Sequence, residues 1–114
     1  MDKKQSKEVK AGDISADNLL VKNKNDNIDD TFCYQLFEEN YFDTDKLQLL
    51  INFVSAKKLD RNEADILQWI IEGVDNCFIY HHDDNDYYRI TNYSNTIEDA
   101  WNNHWRTELM ASLS

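Results

Sequence analysis

Apolar residues are sparse over the first 30 positions of the chain and frequent after them. Residues 22–30, KNKNDNIDD, contain one apolar residue in nine, which is too few to offset the conformational entropy that ordering costs. Residues 14–21, ISADNLLV, are the exception, and they can dock as a short strand or a helical turn. The pattern therefore predicts a flexible polar leader over 1–30 and one folded acidic domain over 31–114.

Apolar spacing near 3.6 residues predicts three helices at the start of this domain. The first lies in 31–42, TFCYQLFEENYF, and the second in 43–59, DTDKLQLLINFVSAKKL. In the second helix, Leu49 and Phe53 fall on a different side from the main apolar stripe. A helix that is apolar on two sides is either central in the fold or shared with a partner, so a homo-oligomer stays open.

The third predicted helix, DRNEADILQWIIEGV over 60–74, has the strongest boundary signal. Asp60 and Glu63 have the spacing of a capping box, with Asp in place of Ser or Thr. Gly73 lies near the end of the pattern, where a glycine can weaken or terminate a helix. Trp69 lies off the centre of the apolar stripe, and we expect it to pack on a second element or to be exposed.

The residues that follow predict a β-hairpin and then a last helix. CFIYHH (77–82) and YYRITNY (87–93) are rich in aromatic and β-branched residues, and the turn sequence DDND separates them. Residues 95–114 repeat apolar side chains every four positions, which predicts a C-terminal helix. The predicted fold class is α+β, with three helices, a two-stranded antiparallel hairpin and a C-terminal helix in one small domain.

Charge is distributed unevenly over the 114 residues, whose net charge is −10. Residues 1–30 carry a net charge of −1, and residues 31–114 carry −9. A domain this acidic repels phosphate backbones, which argues against direct nucleic-acid binding. The same charge steers association with a basic partner, although it would also serve solubility alone.

The sequence also predicts a cellular compartment. No apolar run approaches the ~20 residues of a membrane span, and the N-terminal lysines precede no apolar stretch. We therefore expect a cytoplasmic protein without a membrane partner. Cys33 and Cys77 lie in apolar runs, and the chain has no Cys-x-x-Cys pair. In that compartment we expect two buried thiols rather than a disulfide.

The stretch HHDDND over 81–86 is the most obvious candidate for a metal or catalytic site. On a strand, however, His81 and His82 would point to opposite faces, and a calcium loop that begins at Asp83 has tyrosine at its fifth and sixth positions. The chain contains no Gly-x-Ser-x-Gly elbow and no phosphate-binding glycine loop. We therefore predict no metal, no cofactor and no catalytic residue, and a protein that is not an enzyme.

The predicted hairpin offers contact chemistry instead. Strand alternation turns four side chains outward beside the aspartate turn, because Cys77, Ile79, Tyr88 and Ile90 face the helices. Rigid tyrosines bind partners at low entropic cost, although these rings can equally serve only to cover a small sheet. The residues that we expect to bind a partner are Asp83, Asp84, Asp86, Tyr80, Tyr87, Arg89, Tyr93, Trp69, Glu38 and Glu39.

Two functions are compatible with these patterns. The first is a non-enzymatic acidic inhibitor that mimics nucleic acid and blocks a basic nuclease or nucleic-acid-binding protein. Immunity proteins of nuclease toxins and phage inhibitors of CRISPR or restriction systems are similar in size and composition. The alternative is a winged-helix-like transcriptional regulator or adaptor, with 60–74 as the recognition helix. Asp65, Glu72 and the acidic turn argue against that alternative, since a recognition helix and a wing require cations.

Overall fold

The computed structural model describes residues 18–114, and all regular secondary structure in that range is helical. The last three helical segments follow one another without a break, and we refer to them together as the C-terminal helix. The elements are α1 (Leu19–Lys24), α2 (Phe32–Glu39), α3 (Thr44–Ser55), α4 (Arg61–His82), α5 (Asn95–Ala100), a π-helical turn (Trp101–Trp105) and α6 (Arg106–Ala111).

The start of α4 follows the predicted capping box. Asp60 Oδ1 accepts the Glu63 backbone N–H at 2.8 Å, and Glu63 Oε1 accepts the Asp60 backbone N–H at 2.9 Å. The two side chains thus satisfy backbone donors for which the first turn of a helix has no partner. The predicted N-terminus of this helix is confirmed.

The core forms around one apolar stripe of α4, which spans 22 residues. Helices α1, α2 and α6 contact α4, and α3 contacts both α1 and α6. The buried positions of the stripe recur at the spacing of one helical face. They are Ile66, Leu67, Ile70, Ile71, Val74, Cys77 and Phe78.

The predicted α+β fold with a hairpin is wrong. Helix α4 continues through the segment predicted as the first strand and ends at His82. Residues 86–90 have no regular secondary structure and residues 91–92 form a turn, so residues 87–93 pair with no strand among residues 18–114. Cys77 and Phe78 are buried and prolong the helical stripe, whereas Ile79, which strand alternation places inside, is 61 % exposed. The aromatic composition of 77–82 thus fits a helix whose apolar face is covered by other helices.

Gly73 lies inside α4, where it allows close packing, and not at the end of the helix as the sequence suggests. A Cβ atom at this position would lie 2.6 Å from Phe37 Cζ, which is closer than real contacts allow. The glycine therefore lets the Phe37 ring of α2 approach the backbone of α4, and it has an ordinary helical conformation. The glycine is therefore needed for close packing between α2 and α4, and it does not end the helix.

Side-chain and backbone hydrogen bonds, rather than pairing with a second strand, hold residues 87–93 against the rest of the protein. The Asn92 amide accepts the Phe42 backbone N–H at 2.9 Å and donates to the Phe42 carbonyl at 2.8 Å. Beside it, the Thr91 backbone N–H donates to the Asn40 carbonyl at 2.7 Å. The Asn92 amide therefore forms the two hydrogen bonds that a paired strand would form. This segment is docked on the connection between α2 and α3.

The C-terminal helix is predicted from an apolar repeat of four residues, and it contains a π-helical turn where that repeat requires one. Each α-helical residue turns the chain by about 100°, so a four-residue repeat drifts by about 40° per step. The Arg106 backbone N–H donates to the Trp101 carbonyl, which is the five-residue bond of a π-turn. The wider turn keeps Trp101, Trp105 and Leu109 facing the core.

Helix α1 lies within the segment 1–30 that the sequence predicts as a leader. Leu20 is fully buried in the common core, and Asn23 Oδ1 accepts the Cys33 backbone N–H at 2.9 Å. Asn18 Nδ2 donates to Glu63 at 2.8 Å, which joins α1 to the first turn of α4. The residues before Asn18, including the first part of ISADNLLV, lie outside the described residues.

Replacing Leu20 by Ala tests whether α1 belongs to the core. We expect Leu20→Ala to lower the free energy of unfolding by about 2–4 kcal/mol, because the side chain is fully buried and its loss leaves a cavity. Leu49→Ala is the matched control, since Leu49 is 60 % exposed and should lose less than about 0.5 kcal/mol. Urea denaturation measures both; equal losses would show that α1 is not packed.

Candidate protein-binding surface

Three aspartates follow the C-terminus of α4 and form a turn that the chain itself stabilises. Asp83 Oδ1 accepts the Asn85 backbone N–H at 2.9 Å, and Asp86 Oδ1 accepts the Tyr88 backbone N–H at 2.8 Å. Asp84, between them, is exposed. The two outer aspartates therefore shape the turn, while their charges stay at the surface.

Arg89 lies at the inside of this turn. Its guanidinium donates to the carbonyls of Asp86 at 2.8 Å and Tyr88 at 2.6 Å. Longer bonds of 3.3 Å reach the carbonyls of Tyr80 and Asp83. The short bonds hold the turn, and the bond to Tyr80 reaches the last turn of α4. The guanidinium therefore also interacts favourably with the negative pole of that helix. Of the residues predicted to bind a partner, this cation is engaged with its own backbone.

The end of α2 is fastened beside the same turn. The Tyr88 hydroxyl donates to the Leu36 carbonyl, and Asn40 Nδ2 donates to the Arg89 carbonyl at 3.0 Å. Asn40 itself has a φ of 60°, a left-handed conformation that ends α2 and that asparagine tolerates better than most residues. These contacts bring Glu38 and Glu39, in the last turn of α2, to the same part of the molecule as the aspartates.

We call Glu38, Glu39, Asp83, Asp84 and Asp86 together the acidic end. All five residues lie in or just after the last turn of a helix. The negative pole of a helix dipole makes a C-terminus an unfavourable place for a carboxylate. The turn bonds of Asp83 and Asp86 explain two of these five residues. Neither those bonds nor the helix dipoles explain why the other carboxylates gather at the same two helix termini.

The two adjacent histidines at the end of α4 have separate structural partners. His81 Nδ1 accepts the Ile90 backbone N–H at 3.0 Å, and its ring stacks on Tyr93 with centroids 4.2 Å apart. His82 Nε2 lies 2.8 Å from Glu98 Oε1, which also accepts the Tyr93 hydroxyl. The hydrogen bond to Glu98 raises the pKa of Tyr93 to about 12. These contacts attach residues 87–93 to α4 and α5.

An aromatic groove runs along α4 beside α2. It encloses about 280 Å³. The edge of one ring meets the face of the other where Phe37 and Trp69 touch, with centroids 5.6 Å apart. Lys24 Nζ lies 4.4 Å from the centre of the Trp69 ring, on the side of α1. The residues that line the groove are Phe37, Trp69, Gly73, Asn76, Cys77, Tyr80 and Tyr88.

The predicted partner-binding residues fall into three groups in the structure. Trp69 and Tyr80 line the aromatic groove, and Glu38 lines an adjoining depression that shares Trp69 and Phe37. Tyr87 is fully exposed beyond the acidic turn, whereas Tyr93 is half-buried against His81. The remaining predicted residues belong to the acidic end or, like Arg89, cap α4.

Sequence reasoning missed Phe37 and Tyr88 as groove residues. The sequence predicts Phe37 only on the apolar face of the first helix and Tyr88 only on the face of the hairpin that packs on the helices. The predicted hairpin separates 77–93 from α4, so the pattern does not bring the two rings together. Gly73 was the available signal, since a glycine inside an apolar helical period indicates close approach by another backbone or ring. The absence of a side chain at Gly73 leaves room for the Phe37 ring, which forms one side of the groove.

The remaining reactive residue types have structural surroundings. Burial raises the pKa of the Cys33 thiol, and it raises that of Cys77 to about 11, so both thiols stay protonated near neutral pH. His104 Nε2 lies 3.1 Å from Glu108 on the exposed side of the C-terminal helix. Within residues 18–114, no group of three or more His, Cys, Asp or Glu side chains is arranged to hold a metal ion.

Protonation of His81 at acidic pH should weaken the attachment of residues 87–93 to α4. Burial is the main cause that lowers the pKa of His81, and the neighbouring charges of His82 and Arg89 lower it further, while Glu98 opposes them. Because the folded pKa lies below the ordinary value of 6.5, the neutral form stabilises the fold fully above that pH. The contribution is lost as pH falls from 6.5 through the folded pKa, when a proton on Nδ1 removes the acceptor.

Hydrogen exchange of the Ile90 amide measures this effect. We expect its protection factor to fall between pH 7.5 and pH 5.5 in the wild-type protein. His81→Asn supplies an acceptor oxygen that does not titrate, so protection there should change little with pH. His82→Asn leaves the acceptor on His81, so protection should still fall with pH, but at a higher pH because the charge of His82 no longer lowers the pKa of His81. A pH-independent wild type would contradict the assignment.

Two further observations complete this description. None of the helices in the described part of the chain combines the length and the apolar character that crossing a membrane requires. The acidic end and the aromatic groove are the surface features from which a function can be argued. Comparison of the chain with protein-family models, with curated proteins and with solved structures finds no match in any of the three.

Proposed function

We propose that this protein is a non-enzymatic inhibitor that binds a basic protein, namely a nuclease or another protein whose own ligand is nucleic acid. The observation that carries the proposal is the acidic end, where five carboxylates gather at two helix C-termini. Such an arrangement opposes the helix dipoles, so a binding role accounts for it better than stability does. Carboxylates placed in this way can occupy positions that a basic protein reserves for phosphates.

The overall charge supports the same proposal. Residues 1–17 carry four lysines and four acids, so the net charge of −10 belongs to residues 18–114. Several cations in that range are engaged internally: Arg106 pairs with Asp75 at 3.0 Å, and Lys57 pairs with the buried Glu63. Arg89 is bonded to backbone carbonyls. The outward field is therefore negative, and it would accelerate encounters with a basic surface.

The proposed class is that of immunity proteins for nuclease toxins and of phage inhibitors that block CRISPR or restriction systems. Members of this class need a stable surface and no catalytic group. The winged-helix alternative needs a hairpin wing. The segment predicted for it is the end of α4 followed by residues without a strand. Helix α4 also exposes Asp65 and Glu72 where a recognition helix requires cations. We do not propose that alternative further.

A charge-neutral variant of the acidic turn tests the proposal. Asp83→Asn, Asp84→Asn and Asp86→Asn combined remove three charges and keep the side-chain oxygens that accept the Asn85 and Tyr88 backbone N–H groups. The first measurement is inhibition of DNA cleavage by purified basic nucleases of the toxin, restriction and CRISPR classes. For an inhibited nuclease, stopped-flow association at low salt should be about tenfold slower with the variant and should depend less on ionic strength.

The matched control removes three other exposed charges, with Asp29→Asn, Asp45→Asn and Asp65→Asn combined. It has the same net charge as the test variant, so a rate within about threefold of wild type would assign the effect to the acidic turn. Equal slowing by both variants would mean that total charge, not this surface, drives association. Retention of DNA by the wild-type protein itself at nanomolar concentration and ordinary salt would contradict the proposed function.

A further inference from the structure

The aromatic groove has the size of a receptor for a partner's side chain. Its volume of about 280 Å³ falls just below the range of roughly 300–1,000 Å³ that is typical of small-molecule sites. Gly73 lines the groove, and the Phe37 ring packs where a side chain at that position would lie. A long side chain that projects from another protein fits such a groove better than a separate ligand does.

Exposed aromatic surface marks the groove as a contact site. Trp69 is 36 % exposed and Tyr80 is 43 % exposed, although both lie on the longest helix of the described chain. The two residues are three helical turns apart on one face of α4 and form walls at either end of the groove. Tryptophan and tyrosine in such positions are the residues that most often dominate binding energy.

Charge indicates which side chain the groove accepts. Glu72 lies on the same face of α4 as Trp69 and Asn76, at spacings of three and four residues. Glu38 lines the adjoining depression with Trp69, and the rest of the acidic end follows beyond Tyr80. Carboxylates beside aromatic rings favour a cation over an apolar side chain. Lys24 already lies over the Trp69 ring at 4.4 Å, so this ring accommodates a positive charge, and an arginine of the partner would take the place of Lys24.

We propose that the aromatic groove binds an arginine side chain of the basic partner. The guanidinium lies against the Trp69 ring and donates to Glu38 or Glu72 beside it. The methylene stem lies along the groove toward Tyr80. Arginine suits this site better than lysine because its planar group stacks on rings and forms paired hydrogen bonds with carboxylates. The inference rests on the proposed function and names one anchor of that complex.

A blocked tripeptide with a central arginine, acetyl-Gly-Arg-Gly-amide, is a direct probe. We expect the indole N–H signal of Trp69 to shift saturably in NMR titrations up to 20 mM peptide. The matching citrulline peptide has the same shape without the charge and should bind at least fivefold more weakly; the lysine peptide should fall between the two. The Trp101 indole donates to Asp75 at 2.9 Å inside the protein and serves as an unshifted reference. Trp69→Phe assigns the signal.

Tyr80→Ala removes one wall of the groove and should weaken the arginine response at least fivefold. Tyr41→Ala is the matched control, because Tyr41 is 46 % exposed and does not line the groove. Neither substitution removes a buried group, so both variants should keep the wild-type circular dichroism spectrum. No saturable shift with the wild type, or an equal response to arginine and citrulline, would overturn the inference.

The variant lacking charge at Asp83, Asp84 and Asp86 separates this inference from the proposed function. We expect it to keep the Trp69 response to the arginine peptide within about threefold, although it associates slowly with a nuclease. If Tyr80→Ala binds an inhibited nuclease as tightly as wild type, the groove inference fails while the proposed function stands. If the arginine response is present but the protein itself retains DNA at nanomolar concentration, the proposed function fails instead.

Discussion

Burial of one apolar stripe along α4 is the interaction on which the rest of the structure depends. Helices α1, α2 and α6 pack on this helix, and the capping box at Asp60 and Glu63 determines where it begins. A helix of 22 residues is about 33 Å long. It therefore separates Lys57, Lys58 and Arg61, near its start, from the acidic end beyond its C-terminus. The unbroken length of α4 therefore determines how far the acidic end lies from the capping box.

Polar side chains complete what helix packing leaves open. Asp75, in the second half of α4, accepts the Trp101 indole N–H at 2.9 Å and pairs with Arg106 across both carboxylate oxygens. The Asn92 amide bonds to both polar groups of Phe42. Half-buried carboxylates and amides of this kind contribute specificity, because each accepts one geometry and leaves an unsatisfied group in any other. These bonds hold the C-terminal helix and residues 87–93 in one arrangement around α4.

The surface features meet at one end of the molecule because the same contacts create them. The Phe37 ring packs against α4 at Gly73 and Trp69, and that packing forms one side of the aromatic groove. The Tyr88 bond to the Leu36 carbonyl fastens the acidic turn beside the end of α2. Packing between α2 and the second half of α4 thus generates both the rings and the clustered carboxylates. A partner that contacts this end would meet aromatic and acidic groups together, as protein interfaces with strong central anchors do.

The sequence by itself determined the helices whose signals are local. The capping residues and apolar period of 60–74 predict α4's first part, and the four-residue repeat after Asn95 predicts the C-terminal helix. The acidity of the domain and the individual residues of the acidic end were also visible there. Only the tertiary structure decided between strand and helix for 77–82, because aromatic and β-branched residues pack well in either. Phe37 against Gly73 and the buried Cys77 and Phe78 favoured the helix. No local pattern records a contact between residues so far apart in the sequence.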